Sequence, residues 1–196
     1  MHINGPAGTL EARYEAAARS TAIQAVLCHP HPLYGGSMHD LVLDCLTKIL
    51  LDVGVGVLRF NFRSVGESAG QHDGGAGEVQ DLGAAADWLR SRYPGEGLWL
   101  GGYSFGAWVA WQAVHTGLAA DRVLLVAPPV GAMKFPDGTP GTRADAVIGE
   151  ADDFADPAAL DRWRGVTLHP IAGADHFFSG RFAELAAEVR RIVTSG

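Results

Sequence analysis

Cysteine is nearly absent from this chain of 196 residues. Cys28 and Cys45 are the only two, too few for a disulfide framework and consistent with reduced thiols. Basic residues are also in deficit, with 15 Lys and Arg against 22 Asp and Glu and a formal charge of −7. That sign repels phosphate backbones and anionic lipid surfaces, so neither nucleic acid nor a membrane surface is an expected partner. Long apolar runs are missing as well. The most apolar region, Leu41 to Leu58, is interrupted by Asp44, Lys48, Asp52, Gly54 and Gly56 and cannot form a continuous membrane span. The start, MHINGPAGTLEARYE, lacks the basic segment and apolar core of a secretory signal, which makes the cytoplasm the expected compartment.

What remains is the composition of an ordinary globular protein, 47% hydrophobic and 19% charged, with a length that predicts a single domain over residues 1–196. The 26 glycines stand at breaks between periodic segments rather than in a low-complexity linker. Thr9 to Ala16 reads as an early strand, and the apolar run Ile23 to Cys28 as a buried strand that stops abruptly at HPHP. Residues 41, 42, 45, 46, 49 and 50 are apolar, the helical spacing, so a helix is predicted over His39 to Asp52, followed by a strand over Val53 to Phe62. The alternation continues with helices over Glu78 to Arg92, Phe105 to Thr116, Pro157 to Trp163 and Gly180 to Val193. Further strands are predicted over Leu98 to Tyr103, Arg122 to Ala127, Ala144 to Ile148 and Val166 to Ile171. This order predicts an α/β fold, a mostly parallel central sheet with helices on both faces. Chemistry in such sheets gathers at the carboxyl ends of the strands, here the loops after Cys28, Phe62, Tyr103, Ala127, Ile148 and Ile171.

One of those loops carries Gly102-Tyr103-Ser104-Phe105-Gly106, a G-x-S-x-G match at a predicted strand-to-helix junction. A serine on such a sharp turn is exposed as a nucleophile. Alone, the same match fits a glycine-rich turn whose serine caps a helix. Residues further along the chain decide between the two, because a serine hydroxyl needs a positioned base and that base an orienting acid. After the strand ADAVIG comes Glu150-Ala151-Asp152-Asp153, and after VTLHPIAG comes Ala174-Asp175-His176-Phe177-Phe178. Among the eight histidines, His176 alone lies on a strand-end loop after both Ser104 and a carboxylate, which singles it out as the base. Asp152 competes with Glu150, Asp153, Asp156 and Asp175 for the acid. An oxyanion site needs two backbone N–H donors. Phe105, just after the serine, offers one, and the loop HPHPLYGG offers the other at Leu33 or Tyr34, since Pro30 and Pro32 have none to give. His29, His31 and His39 beside Cys28 raise a metal site, but no acidic or thiolate partner stands at zinc spacing. No metal or cofactor is expected. The loop NFRSVGESAG at 61–70 reads as an ordered turn with no assigned chemistry, and Trp108 and Trp111 as core residues.

With HPHPLYGGSMH (29–39), NFRSVGESAG (61–70), GYSFGA (102–107), GEADD (149–153) and GADHFF (173–178) assembled, the sequence resembles the α/β-hydrolase superfamily. Within it, the chain is most similar to small, lidless dienelactone-hydrolase-like esterases. The resemblance implies Ser104 as nucleophile, His176 as base and Asp152 as acid, with Phe105 and the HPHPLYGG loop, Leu33 foremost, forming the oxyanion hole. Dienelactone hydrolases proper carry cysteine at the elbow. Serine here implies esters instead, with thioesters and amides open to the same machinery. A metal-dependent hydrolase and a non-catalytic binding module on the same fold are the readings of different class. Only about fifteen residues separate Val130 from Asp145, too few for a lid domain. They also look too broken for a full helix, which predicts a poorly covered sheet face and, with it, a homo-oligomer. The expected partner is a small-molecule ester held by Leu33, Tyr34 and Phe105, with Met133, Phe177 and Phe178 beside them.

Overall fold

The computed structural model describes residues 1–138 and 141–195. Its strands are β1 (His2–Gly5), β2 (Gly8–Glu15), β3 (Ile23–Cys28), β4 (Gly56–Phe60), β5 (Gly97–Tyr103), β6 (Arg122–Val126), β7 (Arg143–Gly149) and β8 (Val166–Ile171). The helices are α1 (Leu41–Asp52), α2 (Ala76–Arg92), α3 (Phe105–His115), α4 (Pro157–Arg162) and α5 (Phe182–Thr194). All the strands join one sheet in the order β1-β2-β4-β3-β5-β6-β7-β8. From β4 to β8 every pairing is parallel, while β1 with β2 and β2 with β4 are antiparallel. The strand order reverses beside β3, so the loop after β3 and the loop after β5 open toward the same crevice.

The strands alternate between two apolar cores, as the period of two in a pleated strand requires. Val26, Cys28, Leu58, Phe60, Val123, Leu125, Ala146 and Ile148 face α2 and α3. Ala25, Leu27, Val57, Leu124, Val126 and Val147 face α1 and α5. Helix α1 buries Val42, Leu43, Leu46, Ile49 and Leu50 along one stripe, and α5 buries Leu185, Val189, Ile192 and Val193. Each such side chain taken from water contributes roughly 1.5–3 kcal/mol. Asp40 caps the start of α1 by accepting the Val42 and Leu43 amides at 2.8 and 3.4 Å, the usual role of an N-cap aspartate. Among the described residues no helix is long and apolar enough to cross a membrane.

Two expectations change. Strand β1 is an addition, because the polar tetrapeptide His2–Gly5 has no apolar run of its own and gains its conformation by pairing with β2. The sheet face expected to lie bare is covered. The segment after β6 forms no helix among its described residues, Thr139 and Pro140 lying outside them. Met133 and Phe135 from that segment nevertheless pack with Leu160 and Trp163, and Trp111 beneath is fully buried.

Candidate active site

Ser104 occupies the single residue between β5 and α3, at φ 54° and ψ −117°. An L-residue is strained in this region, and here neighbours on both sides hold it. Its N–H donates to the Val126 carbonyl at 2.9 Å, while its carbonyl accepts the Ala107 and Trp108 amides at 3.0 and 3.2 Å. The flanking glycines are required by close approach. A Cβ on Gly102 would stand 2.2 Å from the Gly106 carbonyl, and one on Gly106 would stand 2.2 Å from the Cys28 carbonyl. The motif therefore does two things at once: it lets β5 and α3 meet at a sharp angle, and it seats the start of α3 against the end of β3.

The structure brings Ser104, His176 and Asp152 into one hydrogen-bonded chain. His176 Nε2 lies 2.9 Å from Ser104 Oγ, and His176 Nδ1 lies 2.9 Å from Asp152 Oδ2. Asp152 is buried, and its other oxygen accepts the Phe154 amide at 2.8 Å. With a carboxylate at Nδ1, that nitrogen carries the proton, which leaves Nε2 free to accept from the serine hydroxyl. Tyr103 supports His176 from behind, its hydroxyl donating to the His176 carbonyl at 3.1 Å. Burial, with the nearby charges of Asp40, Asp152 and Asp175, pushes the Tyr103 phenol upward, so it stays protonated as a donor. The competing carboxylates have other tasks. Asp175 Oδ1 accepts the Ser179 and Phe177 amides at 2.9 and 3.0 Å, bonds that lower its pKa and close its own turn. Asp156 caps α4 through the Ala158 amide, and Glu150 and Asp153 are exposed.

The loop after β3 corrects the expected oxyanion donor. Pro32–Tyr34 forms a short 3-10 turn capped by His31, whose Nδ1 accepts the Leu33 amide at 3.2 Å. The Tyr34 and Gly36 amides both donate to the His31 carbonyl at 3.1 Å. Leu33 and Tyr34 thus have their N–H groups engaged within the loop. Within residues 30–36 the His31 amide alone takes no protein acceptor, and the Phe105 amide that follows Ser104 takes none either. Their side chains lie in contact, ring centroids 4.8 Å apart. His29 anchors the same loop from below: Nδ1 donates to the Pro30 carbonyl at 2.6 Å, and Nε2 accepts the Phe62 amide at 3.0 Å. Burial lowers the His29 pKa to about 4, so it is a neutral tether at ordinary pH. His39 is exposed.

Residues 61–70 brace this arrangement. Asn61 accepts the Met38 amide at 2.8 Å and donates to Glu11 at 2.7 Å. Arg63 grips buried Asp81 through Nε and Nη2 at 3.0 and 2.9 Å. A cavity of about 550 Å³ opens over Ser104 and His176, walled by Tyr34, Phe105, Met133, Phe154 and Phe177. Two residues expected there are elsewhere. Leu33 is exposed outside the wall, and Phe178 is buried in the core against α1 and α5. Phe154, which sequence reasoning missed, lies with its ring centroid 4.6 Å from that of His176. Its adjacency to the GEADD loop was the signal available.

No family model matches the chain. An uncharacterized protein of Rickettsia prowazekii is 38% identical to it across 96% of this chain and 86% of that one. Among solved structures, an α/β serine hydrolase without a lid from Xanthomonas campestris is 35% identical, with a TM-score of 0.92 over 98% of this chain and 92% of that one. The chain belongs to the lidless α/β serine hydrolases. An α/β serine hydrolase homologue from Coxiella burnetii agrees, at 33% identity and a TM-score of 0.94 over 99% of this chain and 96% of that one. Among its described residues the segment between β6 and β7 forms no helix, in keeping with a fold that has no lid.

Proposed function

We propose that this lidless serine hydrolase cleaves small carboxylic esters through an acyl-enzyme on Ser104, with His176 as general base and acid and Asp152 as its orienting carboxylate. The observation that carries the reading is the chain of two 2.9 Å contacts from Asp152 through His176 to Ser104 at the floor of an apolar cavity. As Ser104 Oγ attacks the ester carbonyl, its proton passes to His176 Nε2, and the imidazolium so formed is stabilised by Asp152. The tetrahedral oxyanion takes the Phe105 and His31 amides, which have no protein acceptor to give up. Collapse breaks the carbonyl-to-alkoxy bond, and the alkoxide leaves with the proton from Nε2. Water then attacks the acyl-enzyme, giving its proton to Nε2. The second collapse returns that proton to Ser104 Oγ and releases the carboxylic acid. The strained Ser104 backbone keeps the hydroxyl aimed at the cavity throughout.

A fluorophosphonate probe followed by peptide mass spectrometry tests the assignment. The expected result is one label, on Ser104, with both label and p-nitrophenyl butyrate turnover lost in Ser104→Ala. Labelling elsewhere, or turnover retained by that variant, overturns the serine mechanism.

A further inference from the structure

The cavity above Ser104 has an unusual balance of charge. Among its described lining residues there is no lysine or arginine, and the one carboxylate is Asp40. The wall also carries the rings of Tyr34, Tyr103, Phe105, Phe154 and Phe177, with His31 and His176 beside them. Asp40 serves α1 with Oδ1 alone, which accepts both the Val42 and Leu43 amides. Among the described residues Oδ2 takes no protein donor, and no basic side chain pairs with this carboxylate. Arg59, which donates to the Met38 carbonyl two residues before Asp40, is committed to Asp44 and Glu15. Burial raises the Asp40 pKa, as expected of a partly desolvated charge without a partner.

Aromatic faces attract cations through their quadrupoles, and more strongly where water is partly excluded. A lone carboxylate in the same recess adds a favourable Coulomb contribution for a cation and an unfavourable one for an anion. We infer that this cavity selects esters whose acyl or alcohol portion carries an ammonium group, with Asp40 and the aromatic wall reading the positive charge. This rests on the proposed ester hydrolysis and names the substrate class of that site. It also assigns Asp40 a role beyond capping α1.

The test uses two esters of one shape, butyrylcholine and 3,3-dimethylbutyl butyrate, in which a quaternary nitrogen replaces a quaternary carbon. Binding to Ser104→Ala is measured by NMR titration at low ionic strength, and kcat/KM is measured on the wild-type enzyme. The cationic ester is expected to bind at least about tenfold more tightly and to be favoured in kcat/KM by a similar ratio. Asp40→Asn keeps the N-cap, because asparagine caps as well as aspartate, and should reduce the ratio to about threefold or less. Equal binding of the two esters to Ser104→Ala overturns the inference without reference to any other variant, as does a preference that survives Asp40→Asn. If the cation binds preferentially but neither ester is cleaved, ester hydrolysis fails and the charge selection stands. If both are cleaved without preference, the charge selection fails and the hydrolysis stands.

Discussion

Two aspartate–histidine pairs sit on β7 and β8 and the loops that succeed them, each spanning 24 positions of the chain. Asp145 and His169 lie within the strands, and Asp152 and His176 lie seven positions further along each. Both contacts measure 2.9 Å, and both pairs are buried. Their surroundings differ. Asp145 also receives Arg122 through Nε and Nη2 at 3.1 and 2.9 Å, and His169 Nδ1 stands 2.8 Å from Arg191 and 2.9 Å from Glu188. Every polar atom of that pair is tied into a charge network that fastens α5 to the sheet, Arg122 also donating to the Ile192 carbonyl. The second pair ends in the Ser104 hydroxyl at the floor of a cavity. An Asp–His contact is thus a unit of structure in one place and a candidate proton-transfer device in the other, and the third partner separates them.

Exchanging the two carboxylates for amides is the strongest way to break this comparison. Asp152→Asn is expected to lower kcat/KM by on the order of 10⁴-fold, because an amide favours the histidine tautomer that cannot accept from Ser104. Unfolding should change little, since the Phe154 amide keeps an acceptor. Asp145→Asn should do the reverse. It leaves buried Arg122 without its counter-charge and is expected to cost about 3 kcal/mol in denaturant unfolding, with kcat/KM per folded molecule held within a few-fold. Paired rate and denaturation measurements on both variants decide the matter. A large rate loss in Asp145→Asn, or none in Asp152→Asn, would mean the third partner does not distinguish the pairs.

The same contrast marks how much was legible in the sequence. Ser104 and His176 stand on loops after β5 and β8, so placing the strand ends also places them, whereas strand ends and spacing leave Asp152 level with Glu150, Asp153, Asp156 and Asp175, and only the family resemblance singles it out. Asp145 and His169 give no such signal, being single polar residues inside apolar strands whose meeting depends on register. The proposed oxyanion donor escapes sequence reasoning for a related reason. Which amide is free depends on the 3-10 turn at Pro32–Tyr34, and that hydrogen bonding is set by backbone conformation rather than residue type. Phe177 and Phe178 show the limit at its smallest scale. These are adjacent identical side chains, one on the cavity wall and the other in the core, because consecutive residues of a turn point in different directions.

A third buried histidine sharpens the comparison from the side of stability. Both nitrogens of His29 are hydrogen-bonded to backbone, with no carboxylate at either. Protonation would require Nε2, which already accepts the Phe62 amide, to become a donor in a site closed to water. Burial accordingly lowers its pKa from 6.5 to about 4 in the folded state. Since the folded value lies below the unfolded one, the unfolded chain binds the extra proton between those limits. The His29 contribution is therefore complete above about pH 6.5, declines as pH falls, and levels off below about pH 4, a total change of about 3 kcal/mol. His29→Gln preserves an acceptor for the Phe62 amide but has no proton to gain. The difference in unfolding free energy between wild type and His29→Gln should therefore shrink steadily from pH 6.5 to pH 4. A difference that stays flat across that range would show that His29 is not held neutral by its burial, and that the loop bearing the His31 amide is fastened in some other way.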